Sequence, residues 1–388
     1  MKVGAPKETY DGERRVALVP GVVPLLVKAG LDVLVEPGAG DAAGFTDAAY
    51  REKGARMVPR AELFGTADIV VQVRAAGAAG DSVQPDLPRL RPDQIVVAMA
   101  EPLGAADRLA PYADRRVRLF ALELLPRITR AQSMDVLSSM ATIAGYKAVL
   151  LAAAALPRMM PMLMTAAGTV TAARVLVVGA GVAGLQAIAS ARRMGAVVEA
   201  YDVRPAVKEQ VQSLGARFVE LALETANAED KGGYARAQDE AFYQRQREMM
   251  LRVVAASDVV ITTAVIPGKK APVLVTAAMV AGMAPGSVVV DLAAERGGNC
   301  ELTRPDETVV EHGVTILGPT NLPSTVPYHA SQMYAKNVAT FLLHLAPGGK
   351  LTIDPDEQIA RETLVTSGGE IVHPRIREIL GLPALQAV

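Results

Sequence analysis

Short apolar runs alternate with helical stretches along the first third of the chain. The runs are rich in Val, Leu and Ile, as is typical of strands, and glycine, proline and charged residues separate them. Residues 22–29 have the composition of a short helix that ends at Gly30. This alternation predicts a parallel sheet with helices on its faces. Strands are predicted at residues 1–5, 31–36, 67–73, 94–98 and 117–123.

The pattern changes after residue 126. Residues 126–140 are polar and irregular at first and then helical, and residues 141–156 predict an Ala-rich helix that would run between two domains. Residues 159–169 predict a turn-rich segment. Seven methionines lie between Met134 and Met194. They are expected to fill uneven gaps in a core rather than to bind a metal, and no metal site is expected.

A second alternation of strands and helices follows. Residues 222–247 form a long polar insertion, interpreted either as a mobile lid or as a solvated surface helix with a hinge at Gly232 and Gly233. From Gly348 onward we expect a tail with weak structure. Helices are predicted at residues 185–194, 206–214, 276–281 and 327–345. Strands are predicted at residues 175–178, 216–220, 257–263, 287–292 and, as the last strand of the chain, 314–317.

A glycine-rich turn within residues 174–204 organises this second half. An apolar strand leads into Gly179, Gly181 and Gly184 at GxGxxG spacing, and a helix, a second apolar strand and Asp202 complete the unit. This order is the full dinucleotide-binding fingerprint. The alternative is an ordinary βαβ crossover whose glycines serve only for packing.

Each part of the fingerprint has a physical role. Gly179 permits the tight turn, Gly181 lets a pyrophosphate approach the backbone, and Gly184 lets the helix pack close to the sheet. The N–H groups and dipole at the helix start favour the phosphates. Asp202 can accept hydrogen bonds from both ribose hydroxyls and would repel a 2′-phosphate, so NAD(H) is predicted rather than NADP(H).

These patterns predict an α/β protein with two doubly wound parallel-sheet domains and an interdomain cleft, the second being a Rossmann NAD-binding domain. The helix at residues 327–345 is expected to return to the first domain, which makes that domain discontinuous. The predicted bounds are residues 1–126 plus 327–388 for the N-terminal domain and 127–326 for the NAD(H)-binding domain.

The composition of the chain limits the kinds of partner and the cellular compartment to be expected. A length of 388 residues suggests two or three domains, and a net charge of −1 gives no reason to expect a nucleic-acid partner. The single cysteine, Cys300, excludes a disulfide within the chain and suits a reducing cytoplasm. Charged residues near the N-terminus argue against a secretory signal. We expect no apolar run to be long enough to span a bilayer, so a membrane role is expected to come from partners.

Polar side chains concentrate in the loop at residues 127–138. Facing a nicotinamide, Arg127 would donate to the carboxamide oxygen, and Asp135 and Ser138 would fix the carboxamide and ribose. The alternative is a hydrogen-bonded loop that caps the next helix. Two further loops follow predicted strands. Residues 263–265 would supply an apolar wall, whereas the loop holding Glu295, Gly297, Gly298 and Asn299 would either cover the cofactor or simply turn the chain.

All four histidines lie in the last fifth of the chain: His312, His329, His344 and His373. Oxidation of an alcohol or amine needs a general base near the hydride acceptor, most often His or Lys. Direct hydride transfer between two nicotinamide rings needs only positioning. His329, in the first turn of a helix, is interpreted as a capping or packing residue.

Several strings in the chain carry a resemblance to a known family. They are GAPKETYDGERRVAL, LLPRITRAQSMDVLSS, MTAAGTV, VLVVGAGVAGLQAIA, ITTAVIPGKKAPVL and DLAAERGGNC. The chain resembles the NAD(H)-binding alpha subunits of proton-translocating nicotinamide nucleotide transhydrogenases over roughly residues 1–345, with RITRAQSMD as the most specific string. Alanine dehydrogenase is a more distant relative that shares the fold and the N-terminal string.

The resemblance implies roles for individual residues. Gln132 would reach a second nucleotide carried by another subunit, and Gly233 and Tyr234 would belong to a mobile loop that closes on the nucleotide. The reacting end would be formed by Arg127, Gln132, Asp135 and Ser138, with Ile128 and Thr129 in the same loop. The remaining NAD(H) contacts would come from Gly179, Ala180, Gly181, Val182, Gly184, Asp202, Val203, Arg204, Gln246 and Val265.

The resemblance also implies a function and partners. The chain would transfer hydride from NADH to NADP⁺ held on a partner subunit, and membrane subunits would couple the transfer to proton translocation. It would be a homodimer, cytoplasmic and peripheral on the inner membrane through those partners. The alternatives are an alanine-type dehydrogenase and a non-catalytic NAD-sensing module. Arg15 is shared with alanine dehydrogenase, but Arg74 stands where that family has lysine, and a matching histidine is absent.

Overall fold

The structure is a computed structural model that describes residues 1–220, 240–354 and 356–385, with residues 240–246 described only as helix backbone. Most of the predicted polar insertion, including Gly233 and Tyr234, therefore lies outside the described residues.

Seventeen strands are described within these ranges. The predicted strand at residues 314–317 is confirmed but is not the last. The strands are β1 Lys2–Ala5, β2 Asp32–Val35, β3 Arg56–Met57, β4 Ile69–Arg74, β5 Ile95–Met99, β6 Arg118–Ala121, β7 Leu163–Thr165, β8 Gly168–Val170, β9 Arg174–Val178, β10 Val197–Tyr201, β11 Arg217–Phe218, β12 Val259–Thr262, β13 Val288–Asp291, β14 Thr308–Glu311, β15 Val314–Leu317, β16 Leu364–Ser367 and β17 Glu370–Ile371.

Thirteen α-helices are described in the same ranges. The predicted long helix at residues 327–345 is confirmed to the residue as α11, and its proline stands in the first turn, where a missing N–H costs no hydrogen bond. The helices are α1 Val23–Lys28, α2 Asp47–Glu52, α3 Arg60–Thr66, α4 Ala76–Ala79, α5 Ala110–Asp114, α6 Val136–Ala155, α7 Val182–Arg193, α8 Lys208–Ser213, α9 Glu240–Ala255, α10 Ala277–Ala281, α11 Pro327–Leu345, α12 Gln358–Thr363 and α13 Pro374–Ile379.

The chain divides into two compact units. The first consists of Met1–Met140 with Pro323–Val388, and the second of Ala141–Leu322, so one division falls within α6. This division assigns the loop at residues 127–138 to the first unit. The domain bounds predicted from the sequence place that loop in the second domain, and they remain a prediction.

The first unit contains an eight-stranded sheet in the order β17-β16-β6-β5-β4-β1-β2-β3. Its strand pairs are parallel except at one edge. There β16 runs antiparallel to β6, and β17 runs antiparallel to β16. The six strands β3-β2-β1-β4-β5-β6 have the doubly wound order, in which the chain changes direction across the sheet between β1 and β4.

The prediction of a weakly structured tail after Gly348 is wrong. Strand β16 pairs with β6, and the Thr366 hydroxyl donates to the carbonyl of Val117 over 2.8 Å. Val365, Ile371 and Ile376 are buried in the core of the first unit. The C-terminal segment therefore extends the first sheet and covers part of its core.

The second unit contains a seven-stranded sheet in the order β11-β10-β9-β12-β13-β15-β14, parallel except for the pair β14 and β15. This is again the doubly wound order, with the change of direction between β9 and β12. The central strands are apolar on both faces: Val175 and Val177 belong to one core cluster, and Leu176 and Val178 to another. A strand buried on both sides explains the continuous apolar run in the sequence.

Two expectations for the middle of the chain need correction. The segment predicted as turn-rich contains the hairpin β7–β8. Met159, Met162 and Met164 are 49%, 56% and 79% exposed, so the interpretation as core fillers is wrong for these three methionines. It holds for others, including Met160, which is 5% exposed.

Helix α6 is, among the described residues, the one helix long and apolar enough to cross a membrane by length and composition alone. The expectation that no run is long enough is wrong by this measure, because the apolar stretch extends on both sides of the charged Lys147. Ala148, Val149 and Ala152 of α6 are buried in the core of the second unit. A Cβ on Gly145 would lie 2.1 Å from the carbonyl oxygen of Ala183, so α6 packs directly against the start of α7.

Replacing Ile376 with Ala should lower the free energy of unfolding by about 2–5 kcal/mol, because the side chain is fully buried and the substitution leaves a cavity. Ile379→Ala, in the same helix at 50% exposure, is the matched control and should change stability by less than about 1 kcal/mol. Urea unfolding measures both. Equal effects would contradict the placement of α13 on the core.

Candidate functional site

The glycine turn between β9 and α7 is fixed by close packing. Gly179 has φ +99°, and its N–H donates to the carbonyl of Tyr201 over 2.8 Å. A Cβ on Gly184 would lie 1.8 Å from the carbonyl oxygen of Gly179, and one on Gly179 would lie 2.6 Å from the Thr263 hydroxyl. Both positions therefore exclude a side chain, as the fingerprint predicts.

Gly181 differs from its two neighbours because it faces open space. It precedes α7 as the N-cap residue, with φ −75°, and a Cβ built there meets no heavy atom within 4 Å. Glycine offers no side chain to cap the first N–H groups of the helix, and intrahelical bonds do not reach them. The open space and these donors fit the pyrophosphate of a dinucleotide.

Asp202 lies at the predicted place after β10, but its oxygens are already engaged. Oδ2 accepts from the N–H of Ala180 over 2.8 Å, and Oδ1 accepts from the N–H of Arg204 over 2.9 Å. The Arg204 guanidinium also donates to both oxygens. The Asp202 and Arg204 side chains are 7% and 16% exposed. A ribose diol would therefore have to displace Arg204, whose charge also weakens the repulsion expected for a 2′-phosphate.

The loop after β12 lies beside the fingerprint, since β12 pairs with β9. The Thr263 hydroxyl donates to the carbonyl of Gly179 over 3.0 Å and ties the two loops together. Val265 is 41% exposed and can serve as an apolar contact. Val203, after β10, is half-buried against the core.

Two side chains brace these loops, and neither role was predicted from the sequence. Asn299, fully buried, accepts from the N–H of Ala264 over 2.9 Å and donates to the carbonyls of Ala264 and Pro272. Asp291, also fully buried, accepts from Thr262, Ala293, Cys300 and Thr303. The loop at residues 295–299 thus turns the chain and supports its neighbour. The string DLAAERGGNC was the available signal, but it did not show which way Asn299 points.

The loop at residues 127–138 lies in the first unit, and its polar side chains serve two purposes. Asp135 accepts from the N–H of Ser138 over 2.9 Å and from its hydroxyl over 2.5 Å, so this pair caps the start of α6. Arg127, Thr129 and Gln132 are exposed. The predicted helix cap is therefore present at Asp135 and Ser138, whose role in binding stays a prediction, while the exposed residues are accessible to a ligand.

Residues Thr129–Met134 form a 3₁₀ segment in this loop. Ala131 and Met134 are 2% and 5% exposed and hold it to the first unit, and Ile128 is half-buried. Gly233 and Tyr234 lie outside the described residues. Gln246 lies in the backbone of α9, but its side chain is also outside them.

Comparison with known proteins assigns the family. The model of the alanine dehydrogenase/PNT N-terminal domain matches residues 4–144, and that of the C-terminal domain matches residues 148–374. An NAD(P) transhydrogenase alpha subunit of Rhodospirillum rubrum is 46% identical over 380 residues, which is 97% of this chain and 99% of the relative. The chain belongs to the NAD(P) transhydrogenase alpha-subunit family.

Solved structures agree with this assignment. A transhydrogenase structure from Sinorhizobium meliloti is 42% identical, with a TM-score of 0.84 over 97% of this chain and all of the other. An L-alanine dehydrogenase structure is 26% identical, with a TM-score of 0.82 over 98% and 99% of the two chains. The predicted α/β fold with two parallel sheets is confirmed. A nicotinamide nucleotide is the cofactor class of this transhydrogenase family.

This transhydrogenase-family chain has a second cluster of charged side chains, at the point where its first sheet changes direction. Glu13 binds Arg15 through two hydrogen bonds of 2.6 and 2.7 Å, and the Arg74 guanidinium approaches Glu13 within 3.0 Å. Arg15 is 3% exposed. Burial alone would raise the pKa of Glu13, but hydrogen bonds and the charges of both arginines lower that pKa to about 2.

Glu8 completes the cluster. Its carboxylate accepts from the N–H groups of Val73 and Arg74 at the end of β4. Burial nevertheless raises the pKa of Glu8 to about 8, and the charge of Glu13 adds to the effect. The edge of the first sheet is thus filled by side chains of the chain itself, with Glu13 occupying the arginine fork that would otherwise face an anion.

Gly181→Ala should weaken NADH binding at least about 10-fold and lower the thermal midpoint only slightly, because the new methyl group enters open space where the pyrophosphate would approach and alanine is a poorer N-cap than glycine. Gly65→Ala, another open position with room for a methyl group, is the control for the affinity. Calorimetric titration gives the affinities. Unchanged NADH affinity in Gly181→Ala would refute the site.

Glu8→Gln should gain stability relative to the wild type as the pH rises from 5 to 9. In the wild type, burial raises the pKa of Glu8 from 4.5 in the unfolded chain to about 8 in the folded one. Protonation of Glu8 therefore contributes its full stabilisation below pH 4.5, and this contribution is lost as the pH rises through about 8. Glutamine cannot ionise and escapes that loss. Thermal midpoints of both proteins across this range test the sign, and a constant difference between them would contradict it.

Proposed function

We propose that this protein binds NADH and presents it for hydride transfer to NADP⁺ held on a partner subunit, with membrane subunits coupling the transfer to proton translocation. The observation that carries the proposal is the loop at residues 127–138. Its backbone is held by the buried Ala131 and Met134, while Arg127 and Gln132 are exposed. An anchored loop with exposed polar ends suits a reaction whose second reactant comes from outside the chain.

The residues of the glycine turn and those of the 127–138 loop would contact different parts of the nucleotides. The open start of α7 at Gly181 and the carboxylate of Asp202 would bind the adenosine and pyrophosphate part of NAD(H). Arg127 would orient the nicotinamide carboxamide, and Gln132 would contact the second nucleotide. Bound NADH supplies a hydride, which leaves C4 of its ring with the bonding electron pair and forms the C4–H bond of NADPH. Because this transfer exchanges no proton, it requires position rather than a general base.

The charged side chains at the edge of the first sheet favour this function over oxidation of an amino acid. An alanine-type dehydrogenase needs a cation for the substrate carboxylate and a base near the reacting carbon. Here Arg15 is buried against Glu13, and Arg74 is bound to the same carboxylate. Both arginines of this cluster thus already face a carboxylate of the chain itself. NADH formation from alanine by the isolated chain would decide for the dehydrogenase.

The proposal includes an assembly. The partners would be a membrane subunit and an NADP(H)-binding subunit, so the chain would lie on the cytoplasmic face of the inner membrane through them. The relatives named as transhydrogenase alpha subunits support such partners. A homodimer is proposed because most soluble oligomers close symmetrically. Light scattering of the purified chain at micromolar concentration checks the dimer, and a monomer mass would contradict it.

Gln132→Ala should slow NADH-to-NADP⁺ transfer about 10- to 100-fold in a mixture with the NADP(H)-binding subunit, while the Kd for NADH changes less than about 3-fold. The exposed Gln84→Ala in the same unit is the matched control and should transfer at the wild-type rate. Stopped-flow absorbance follows the reaction. Wild-type rates in both Gln132→Ala and Arg127→Ala would contradict the roles proposed for these two residues, whereas NADH binding without any transfer by the wild-type protein would favour a non-catalytic NAD-sensing module.

A further inference from the structure

Helix α11 carries three polar side chains, three residues apart, on the side that faces the interior of the first unit. Ser331, Tyr334 and Asn337 are 0%, 0% and 7% exposed. Each makes a hydrogen bond to the main chain of a different segment. Ser331 accepts from the N–H of Val16 over 3.0 Å, and Tyr334 donates to the carbonyl of Gln72 over 2.8 Å.

Asn337 makes the third of these bonds, and its partner is the loop at residues 127–138. Its Nδ2 donates to the carbonyl oxygen of Ser133 over 2.8 Å. Ser133 is the residue directly after Gln132. The side-chain amide therefore fixes the backbone one residue away from the side chain proposed to contact the second nucleotide.

The other end of the Asn337 amide has no hydrogen-bond partner among the described residues. Its Oδ1 is buried and makes no hydrogen bond with the described part of the chain. Leaving a buried acceptor unpaired costs more free energy than one neutral hydrogen bond gains. The amide cannot simply be reversed, because Oδ1 would then face the carbonyl of Ser133. A leucine of similar size would avoid the penalty, so stability does not explain an asparagine at this position.

We propose that Asn337 is a positioning residue that holds the 127–138 loop in the geometry required for hydride transfer. The inference rests on the proposed function and extends it to a residue that touches neither nucleotide. Its single hydrogen bond sets the register of Thr129–Met134 against α11. The unpaired oxygen destabilises the fold locally, so stability does not explain the asparagine, whereas a role in positioning the loop does.

Asn337→Leu separates positioning from stability. The substitution removes the bond to Ser133 and the unpaired oxygen together, so the loss of one hydrogen bond is offset by the loss of one buried unpaired acceptor. The thermal midpoint should therefore move by less than about 3 °C. Transfer to NADP⁺ on the partner subunit should fall about 10-fold or more, with the Kd for NADH changed less than about 3-fold. Hydrogen exchange of the amides at residues 129–135 should accelerate.

Ser331→Ala is the matched control, because it removes an equivalent bond from the same helix, nearly two turns away, without touching the loop. It should lower stability and leave both transfer and loop exchange at wild-type values. Should Asn337→Leu fail to fold, Asn337→Ala takes its place, since it also removes both polar atoms.

Two results would overturn the inference while the proposed function stands. They are wild-type transfer by Asn337→Leu, and slowed transfer with unchanged exchange of the loop amides. Absence of transfer by the wild-type protein would instead reject the proposed function, and the positioning role with it.

Discussion

The site depends on the contact between the first turn of α7 and the end of β9. Gly184 lies so close to the carbonyl of Gly179 that no side chain fits between the helix and the turn. This contact directs the helix start, with its unbonded N–H groups, toward the open space at Gly181. Asp202 reinforces the arrangement by accepting from the N–H of Ala180. The backbone therefore shapes the proposed anion site before any ligand is present.

The two units share one strand order but use it differently. Both sheets change direction at the point where a doubly wound fold places its ligands. In the second sheet that point is open at Gly181, whereas in the first it is filled by Glu8, Glu13, Arg15 and Arg74. Topology alone does not assign a function, and the side chains decide which edge can accept a ligand.

Local constraints explain what could be predicted from the sequence. The dinucleotide-binding fingerprint could be predicted because it depends on residue spacing and on the conformational freedom of Gly179. Helix α11 could be predicted because it begins with a proline and has an unbroken helical pattern. Strands β16 and β17 could not be predicted, because they are short and join the sheet only through the pairing of β16 with β6, which is far away in sequence. Such non-local pairing leaves little trace in composition.

At the site itself, the hydrogen-bond partners of the side chains could not be predicted from the sequence. The residue types in the 127–138 loop indicated binding, but the sequence did not show that Asp135 and Ser138 bond to each other. Nor did it show that Arg204 neutralises Asp202, which weakens the case for NAD(H) over NADP(H) from charge alone. Asn337 lies about two hundred residues from the loop it holds, so only the fold reveals their connection.

In the proposed function, hydride passes directly from one nicotinamide to another. The most direct measurement uses NADH deuterated at the transferred position of C4, mixed with this protein, the NADP(H)-binding subunit and NADP⁺, with mass analysis of the NADPH formed. For direct transfer, the deuterium should appear in NADPH without exchange into water and without any added metabolite. Label lost to solvent, or transfer that starts only when an amino acid is supplied, would contradict it.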